Sequence, residues 1–591
     1  MATSQPSMPH DLPHPELSQR SQPAPAEPGL LDAHGDGMTR RQFLGAAGST
    51  VAAGALAYVG AGTLRAKPAM AAPAGQGADT RPNIILIITD QERYPRHWPD
   101  GWVEENLPGH VRLAANGMTF TRHFCSATMC SPSRSTLFTG MHPAQHGVIH
   151  TLTEGGTFSP DEPTLPLGIQ TMGTMLGSAG YNVVLKGKWH MSKGDDGGDP
   201  TADQVAAYGF NGWVPTSVAN DTKVSNFGGG CANLDSATAG DATDFLAGQS
   251  GAGTTDDPFC LIVGLGNPHD VLSYPNTWDQ VEESGCDNYA GFDLEQGISL
   301  PATVYESLSS KPRCQRQARD FSGFKLGTIV TPEEAGNYVN FYAGLIKEVD
   351  QYISAILDAI PADIRDNTIV VYTSDHGEMG MAHSVLRQKA FQVYEETVNV
   401  PMIVYNPVLF PEAQETDAYT ALIDLMPTFA TVAQVPNRDA YTFYGTDLTP
   451  LFNAPNTPVQ TEILFTFDDI YAANPNGSLV NPITGEEIPS QPKNIHAIFT
   501  QDDDGEWKYA RYFDINGVAA EDYEMYHLRN GLGVPIDPLE IDNLARDSSP
   551  KYNDPAIVAK REELAQRLAA LEESRLQPLE GPEIFLPFIQ M

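Results

Sequence analysis

The sequence predicts an α/β protein: a large doubly wound, mixed or parallel sheet flanked by helices, followed by a smaller C-terminal α+β subdomain with a short antiparallel sheet. Three observations predict it. Continuous apolar runs recur along the chain and each stops at polar residues; helical periodicity lies between them; and beyond about residue 461 the runs become short and are separated by turn residues.

The first run, over 82–91 (PNIILIITDQ), is apolar through its centre and ends in an acid. A strand covered on both faces reads this way, because neither face meets water. The pattern returns over 182–186 before Gly187, Lys188, Trp189 and His190, over 259–264 before Asn267, Pro268 and His269, and over 368–373 before Ser374, Asp375, His376 and Gly377. In open α/β sheets the ligand site lies beyond the carboxyl ends of the strands, so these ends can converge on one pocket. A helix is predicted from Pro132 to Phe138 with Ser131 as its cap. That places Cys130 at a helix N-terminus, where free N–H groups and the helix dipole favour an anion. Another is predicted over 333–360, where Tyr338, Tyr342, Leu345, Val349, Ile353, Ile356 and Leu357 recur near helical spacing. Beyond residue 461, the segments 465–467, 495–499 and 507–512 read as short strands of an antiparallel sheet. Asp554-Pro555 then opens a helix carrying Leu564, Leu568 and Leu571 on one face, a stripe that serves packing.

The bulk properties narrow the function. The 591 residues carry a formal charge of −39 at 41% hydrophobic content. So acidic a chain is not a nucleic-acid binder, since that needs basic patches to neutralise phosphates. It also repels anions at long range, so any anion site must be a local pocket of cationic side chains or metal. Six cysteines, at 125, 130, 231, 260, 286 and 314, are too few for a disulfide scaffold. Cys260, inside an apolar strand, reads as a buried thiol; a bridge between Cys286 and Cys314 is one pairing that the chain allows, and the sequence does not fix it. Residues 1–38, rich in Pro, Ser, His and Ala, read as a disordered extension. The segment 39–71 runs from Thr39-Arg40-Arg41-Gln42-Phe43-Leu44 through a weakly apolar Gly/Ala stretch to Ala69-Met70-Ala71. It resembles a twin-arginine export signal with a small-residue cleavage site, which implies a translocase partner and a periplasmic or extracellular destination. A catalytic domain over 80–460 and a C-terminal subdomain over 461–591 complete the division.

The chemistry gathers around Cys130. The run 130–140 (CSPSRSTLFTG) contains Cys-x-Pro-x-Arg, and around it stand, in order, Asp90 and Gln91, Arg134, Lys188 and His190, His269, Asp375 and His376, and Lys389. This order resembles the type I, formylglycine-dependent sulfatases of the alkaline phosphatase superfamily, across nearly the whole mature chain. Segments 395–401 and 424–428 resemble that family's structural segments as well. The resemblance implies that a formylglycine-generating enzyme oxidises Cys130 to formylglycine (3-oxoalanine), whose hydrated aldehyde attacks a sulfate ester. It implies one divalent cation held by Asp90, Gln91, Asp375 and His376 together with residue 130. Arg134, Lys188 and Lys389 would supply the remaining positive charge, His269 and Lys389 would serve the leaving alcohol, and His190 would take up a proton. His146, His150 and His383 read as structural histidines.

Each role has a physical basis. A sulfate monoester is a negatively charged, weak electrophile, so its cleavage needs charge neutralisation, a nucleophile and help for the departing alkoxide. Two departures from the family pattern matter: many members carry a second Asp where Gln91 stands and Asn where His376 stands. Carboxylate and carbonyl oxygens make calcium the expected ion, while the imidazole admits manganese. The Asp-Gln and Asp-His pairs resemble the choline sulfatase and phosphonate monoester hydrolase branch. The expected activity is hydrolysis of a small-molecule or glycan sulfate ester. Its rivals are a phosphonate monoester or phosphodiester hydrolase using the same site, and a non-catalytic binding protein on the same scaffold.

Overall fold

The computed structural model describes residues 81–153, 162–249, 258–282, 284–469 and 491–579. The expected N-terminal extension and export signal lie outside them. The described residues all fall in one compact unit. Its centre is a seven-stranded sheet of β1 (Asn83–Asp90), β2 (Gly117–Phe120), β3 (Asn182–Gly187), β4 (Phe259–Pro268), β5 (Thr368–Ser374), β6 (Met402–Tyr405) and β7 (Gln414–Thr416), in the order β3-β4-β1-β5-β6-β2-β7. β1 pairs in parallel with β4 and β5, and β3 in parallel with β4, whereas β6 runs antiparallel to both β5 and β2. The sheet is therefore mixed, and its four long parallel strands are the four apolar runs of the sequence.

Alternation along β1 explains why the run is apolar throughout. Ile84, Leu86 and Ile88 face a core built with Leu137 and Phe138 of α1 (Cys130–Thr139) and Leu425 and Phe429 of α4 (Leu425–Val432). Ile85 and Ile87 face the opposite core, with Leu246 of α2 (Leu234–Ala247) and Val349, Ile353 and Ile356 of α3 (Pro332–Ala359). Each such side chain, fully buried, contributes about 1.5–3 kcal/mol. Helix α3 starts where expected: Thr331 accepts a hydrogen bond from Glu334 N, Pro332 takes the first turn, and Glu333 and Glu334 suit the positive end of the dipole.

The C-terminal sheet is antiparallel, in the order β8 (Glu462–Phe467), β9 (Asn494–Asp502), β10 (Gly505–Phe513) and β11 (Asp522–Asn530). One face, with Phe465, Phe499 and Tyr512, joins the main core; the other, with Leu464, Ile498 and Trp507, receives Leu564, Leu568 and Leu571 of α5 (Pro555–Arg575). β11 is absent from the sequence reading because charged residues interrupt it. Its Glu524 is nonetheless buried, accepting hydrogen bonds from Tyr512 and Tyr526.

Two local expectations are corrected. Helix α1 begins at Cys130 itself, after Met129, so Ser131 is inside the first turn and its Oγ accepts from Leu152 N at 3.1 Å instead of capping. The disulfide joins Cys231 to Cys286, with Cα atoms 6.0 Å apart, not Cys286 to Cys314. The two loops carrying the bridge are held together by Cys231 N donating to Asn288 Oδ1 at 2.9 Å, while Cys314 is buried in the helix Arg313–Leu326 against Phe391. Cys260 is a buried free thiol, as its strand position implied.

The α5 stripe has a measurable consequence. Leu564→Ala is expected to cost about 2–5 kcal/mol by leaving a cavity between α5 and the small sheet. Urea unfolding followed by the fluorescence of Trp507, which shares that cluster, reads it; a loss below about 1 kcal/mol, a methylene's worth, would mean the helix is not packed this way.

Candidate active site

The site is assembled at the carboxyl ends of the central strands. Asp90 is the last residue of β1, Asp375 and His376 follow β5, Lys188 and His190 follow β3, and His269 follows β4. Helix α1 brings Cys130 against them from the side, at its own N-terminus. Chain geometry at these ends is tight. Gly187 has φ +78°, and a Cβ there would lie 2.1 Å from Gly264 O, so only glycine lets the chain leave β3 towards Lys188. Gln91 and His190 adopt φ 74° and 58°, a left-handed backbone that non-glycine residues rarely hold and that is concentrated at functional sites.

Four ligand atoms meet in one place. A carboxylate oxygen of Asp90, another of Asp375, Cys130 Sγ and a ring nitrogen of His376 all lie within 4.8 Å of one another, fully buried. Cys130 Sγ is 3.0 Å from His376 Nε2 and 3.5 Å from Asp90 Oδ1. His376 Nδ1 donates to Gly377 O at 3.0 Å, which leaves the Nε2 lone pair facing the cluster. Asp375 Oδ1 accepts from Gln91 N at 3.2 Å, but its Oδ2 is buried without a hydrogen-bond partner. An orphaned carboxylate oxygen, a second carboxylate and an imidazole presenting its lone pair fit a divalent cation.

The cationic groups surround this cluster. Lys188 Nζ bonds Asp90 Oδ2 and Ala219 O. Arg134, fully buried, donates from Nε to Trp189 O at 3.1 Å and from Nη2 to Lys188 O at 2.5 Å, while Nη1 stands 3.5 Å from Asp375 Oδ2. One guanidinium thus fixes the loop bearing Lys188 and His190 relative to α1. Lys389 Nζ donates to Gln91 Oε1 at 2.5 Å. His190 Nε2 donates to Leu152 O at 2.6 Å, so its Nδ1 carries a lone pair, buried and without a partner. His269 Nδ1 is likewise buried and unpartnered.

Electrostatics separate the roles. Burial raises Asp90, but Lys188, His269, His376 and Lys389 outweigh it and hold the carboxyl well below its usual range. Burial, reinforced by Asp90, pushes Asp375 up. Two adjacent buried carboxylates resist ionising together unless a cation lies between them. Burial also lowers His376 to about 3, and lowers His190 and His269 well below the usual histidine range, so all three rings are neutral bases near pH 7. The Cys130 thiol, raised by burial and then by Asp90 to about 12, is a poor nucleophile as encoded.

The structure adds residues that the sequence reading did not single out. Glu378, two positions past His376, accepts from Gln91 Nε2 at 2.5 Å and from Tyr338 OH at 2.8 Å. Its closeness to the strand-end pair Asp375-His376 was the available signal. Behind Gln91, Glu92 belongs to a buried group with His110, Asp350 and Tyr372: His110 Nδ1 lies 2.5 Å from Asp350 Oδ1 and its Nε2 lies 3.2 Å from Glu92 Oε1. These partners are far apart in sequence, and no local motif marks them.

A mixed α/β sheet thus carries, at its strand ends, a cluster that fits a divalent cation, ringed by buried basic groups. The Sulfatase family model matches residues 82–435, and the chain belongs to that family, whose members are sulfuric ester hydrolases. It is similar to the uncharacterized sulfatase YidJ of Escherichia coli (strain K12), 26% identical over 375 residues covering 60% of this chain and 68% of the relative. Among solved structures, a 2-O GAG sulfatase superposes with a TM-score of 0.57 at 22% identity, covering 84% of this chain and 94% of the other. The phosphonate monoester hydrolase of Agrobacterium radiobacter superposes with a TM-score of 0.54 at 19% identity, covering 84% and 96%.

The buried histidine beside the site makes a pH prediction. Burial lowers His110, but Asp350 and Glu92 outweigh it and raise the ring to about 9. A raised folded-state pKa stabilises fully below the unfolded value, about 6.5, and the gain is lost as pH rises through about 9. The stability deficit of His110→Gln, measured by urea unfolding, is therefore expected to be larger at about pH 6 than at about pH 9.5; a deficit that grows with pH would contradict the buried ion-pair assignment.

Proposed function

We propose that this protein is an exported sulfatase that releases sulfate from a sulfated glycan or smaller organic sulfate, through formylglycine at position 130 and one divalent cation. The observation that carries the reading is the meeting of Cys130 Sγ with His376 Nε2 and Asp90 Oδ1 at the N-terminus of α1. Support for a glycan comes from the likeness to a 2-O GAG sulfatase. Support for export comes from the twin-arginine-like segment 39–71 and from the Cys231–Cys286 disulfide, which suits an oxidising compartment.

In this reading the hydrated aldehyde supplies an oxygen nucleophile, and the cation supplies charge neutralisation for it and for the sulfate. Asp90, Gln91, Asp375 and His376 would hold the cation, calcium by their oxygen content with manganese as the alternative. Arg134 keeps the Lys188 loop in register with α1, and the Lys188 and Lys389 ammonium groups concentrate positive charge where the ester binds. That local charge answers the repulsion from an acidic surface. On the leaving-group side, the Lys389 ammonium would provide the proton that the departing alkoxide needs, and the neutral His269 ring would steady the leaving oxygen by a hydrogen bond. His190, with its Nδ1 lone pair free, accepts the proton that regenerates the aldehyde. The backbone N–H groups opening α1 face the anion.

A second reading has its own observation. Gln91 and His376 replace the Asp and Asn of many sulfatases, and a phosphonate monoester hydrolase shares the fold. Turnover of matched aryl sulfate and aryl phosphonate esters decides between the two. The sulfate is expected to be the better substrate, and preference for the phosphonate would replace the first reading by the second. Cys130→Ala is expected to lower kcat by at least about 1000-fold. Mass spectrometry of the tryptic peptide 123–134 from natively produced enzyme is expected to show the aldehyde, and an intact thiol throughout an active preparation would refute the mechanism.

A further inference from the structure

Gln91 stands where a second acid is common, and its amide lies between two charged groups. Lys389 Nζ approaches Oε1 at 2.5 Å, and Glu378 Oε2 receives Nε2 at 2.5 Å. Both Gln91 and Glu378 are fully buried, and Lys389 is 3% exposed, so water does not arbitrate between the two ends of the amide. A primary amide can be turned either way in its slot, and only its partners decide which end presents oxygen. With the amide reversed, its NH2 would face an ammonium and its oxygen would face a carboxylate, two mismatches in a low-dielectric interior where each is costly.

Glu378 is itself rigidly placed. Its Oε1 accepts from Tyr338 OH at 2.8 Å, Gly380 N at 3.0 Å and Gln388 N at 3.0 Å, which ties the carboxylate to α3 and to the chain leading to Lys389. Only Gln388 N, at 3.1 Å, and Gln91 Nε2 reach Oε2 among the described residues. No lysine or arginine forms an ion pair with this carboxylate among them. Its Oε2 is therefore met by neutral N–H donors, one of them the Gln91 amide, whose dipole is aligned from Glu378 to Lys389.

We infer that Glu378 is a positioning residue: it locks the Gln91 amide with its oxygen toward Lys389 and the cation-binding cluster, supplying one residue further out the carboxylate that position 91 lacks. This deepens the proposed function, and it rests on that reading for the roles of Lys389 and the cation. Buried groups that orient a ligand from behind change metal affinity or activity by about 10–100-fold when removed.

The decisive test exchanges the two side chains. Glu378→Gln sets NH2 against NH2 and drives the Gln91 amide to reverse. The double variant Gln91→Glu with Glu378→Gln restores a donor–acceptor pair in mirror order. The amide introduced at position 378 would donate from its NH2 to the carboxylate introduced at position 91, and would keep its oxygen for Tyr338, Gly380 and Gln388. The second oxygen of that carboxylate would remain for Lys389. Affinity for Ca2+ and for Mn2+, measured by chelator competition on the full-length wild type and variants, requires no substrate. Circular dichroism checks that each variant is folded. Glu378→Gln is expected to lose about 10–100-fold in affinity for the ion that binds, and the double variant to recover at least about 10-fold of that loss. The rate constant kcat for an aryl sulfate is expected to follow the same order. Equal affinity in wild type and Glu378→Gln, a double variant no tighter than the single one, or a wild type that binds neither ion would overturn the inference. Should Glu378→Gln not fold, Gln91→Glu replaces it: two facing carboxylates lose the alignment, and adding Glu378→Gln must recover it. A wild type that binds the ion and obeys this pattern without cleaving sulfate esters would count against the proposed function alone.

Discussion

Two buried carboxylates at the ends of adjacent parallel strands are the constraint on which the rest of this structure depends. Asp90 ends β1 and Asp375 follows β5, and strand pairing forces them together whatever their charge. Left alone they would not both ionise. The surrounding architecture is a set of answers to that problem: Lys188 from β3 bonds Asp90, Arg134 from α1 stands by Asp375, and His376 turns a lone pair toward both. The same groups that make the carboxylates tolerable concentrate positive charge in a protein of net charge −39.

Arg134 shows how closely packing and chemistry are joined. Its hydrogen bonds go to the backbone carbonyls of Lys188 and Trp189, not to a surface acid, so α1 and the β3 loop are set against each other by one fully buried guanidinium. Arginine suits this task because its planar, always charged donor fork can bond two carbonyls and still present a third edge. Dislodging it would move Cys130, Lys188 and His190 together. The covered faces of the sheet serve the same end, since a strand gripped on both sides cannot let its terminal residue drift.

Much of this was legible in the residues. The four long strands, α3, the small antiparallel sheet and the α5 stripe follow from apolar period and turn residues, which are local properties. Asp90, Asp375 and His376 were legible because each sits at a strand end, where chain topology must bring it to one edge, and Cys130 was legible from the Cys-x-Pro-x-Arg run that opens α1. Contacts between distant segments were not legible. The Cys231–Cys286 bridge depends on two loops whose approach no spacing encodes, and β11 hides because Glu524 interrupts it while finding tyrosine partners across the sheet. Glu378 and the His110 group were missed for the same reason: an acid becomes an orienting group only through what faces it.

By itself the sequence determined that this is an acidic α/β protein whose ligand-capable residues stand at strand ends in sulfatase order, because strand and helix periods and residue order are written along the chain. Only the tertiary structure decided which atoms meet. It set Cys130 Sγ against His376 and Asp90, left Asp375 Oδ2 and His190 Nδ1 without hydrogen-bond partners, and turned the Gln91 amide by Glu378. Those outcomes are matters of a few ångströms and of dielectric, fixed by how buried elements pack, and one-dimensional order carries neither.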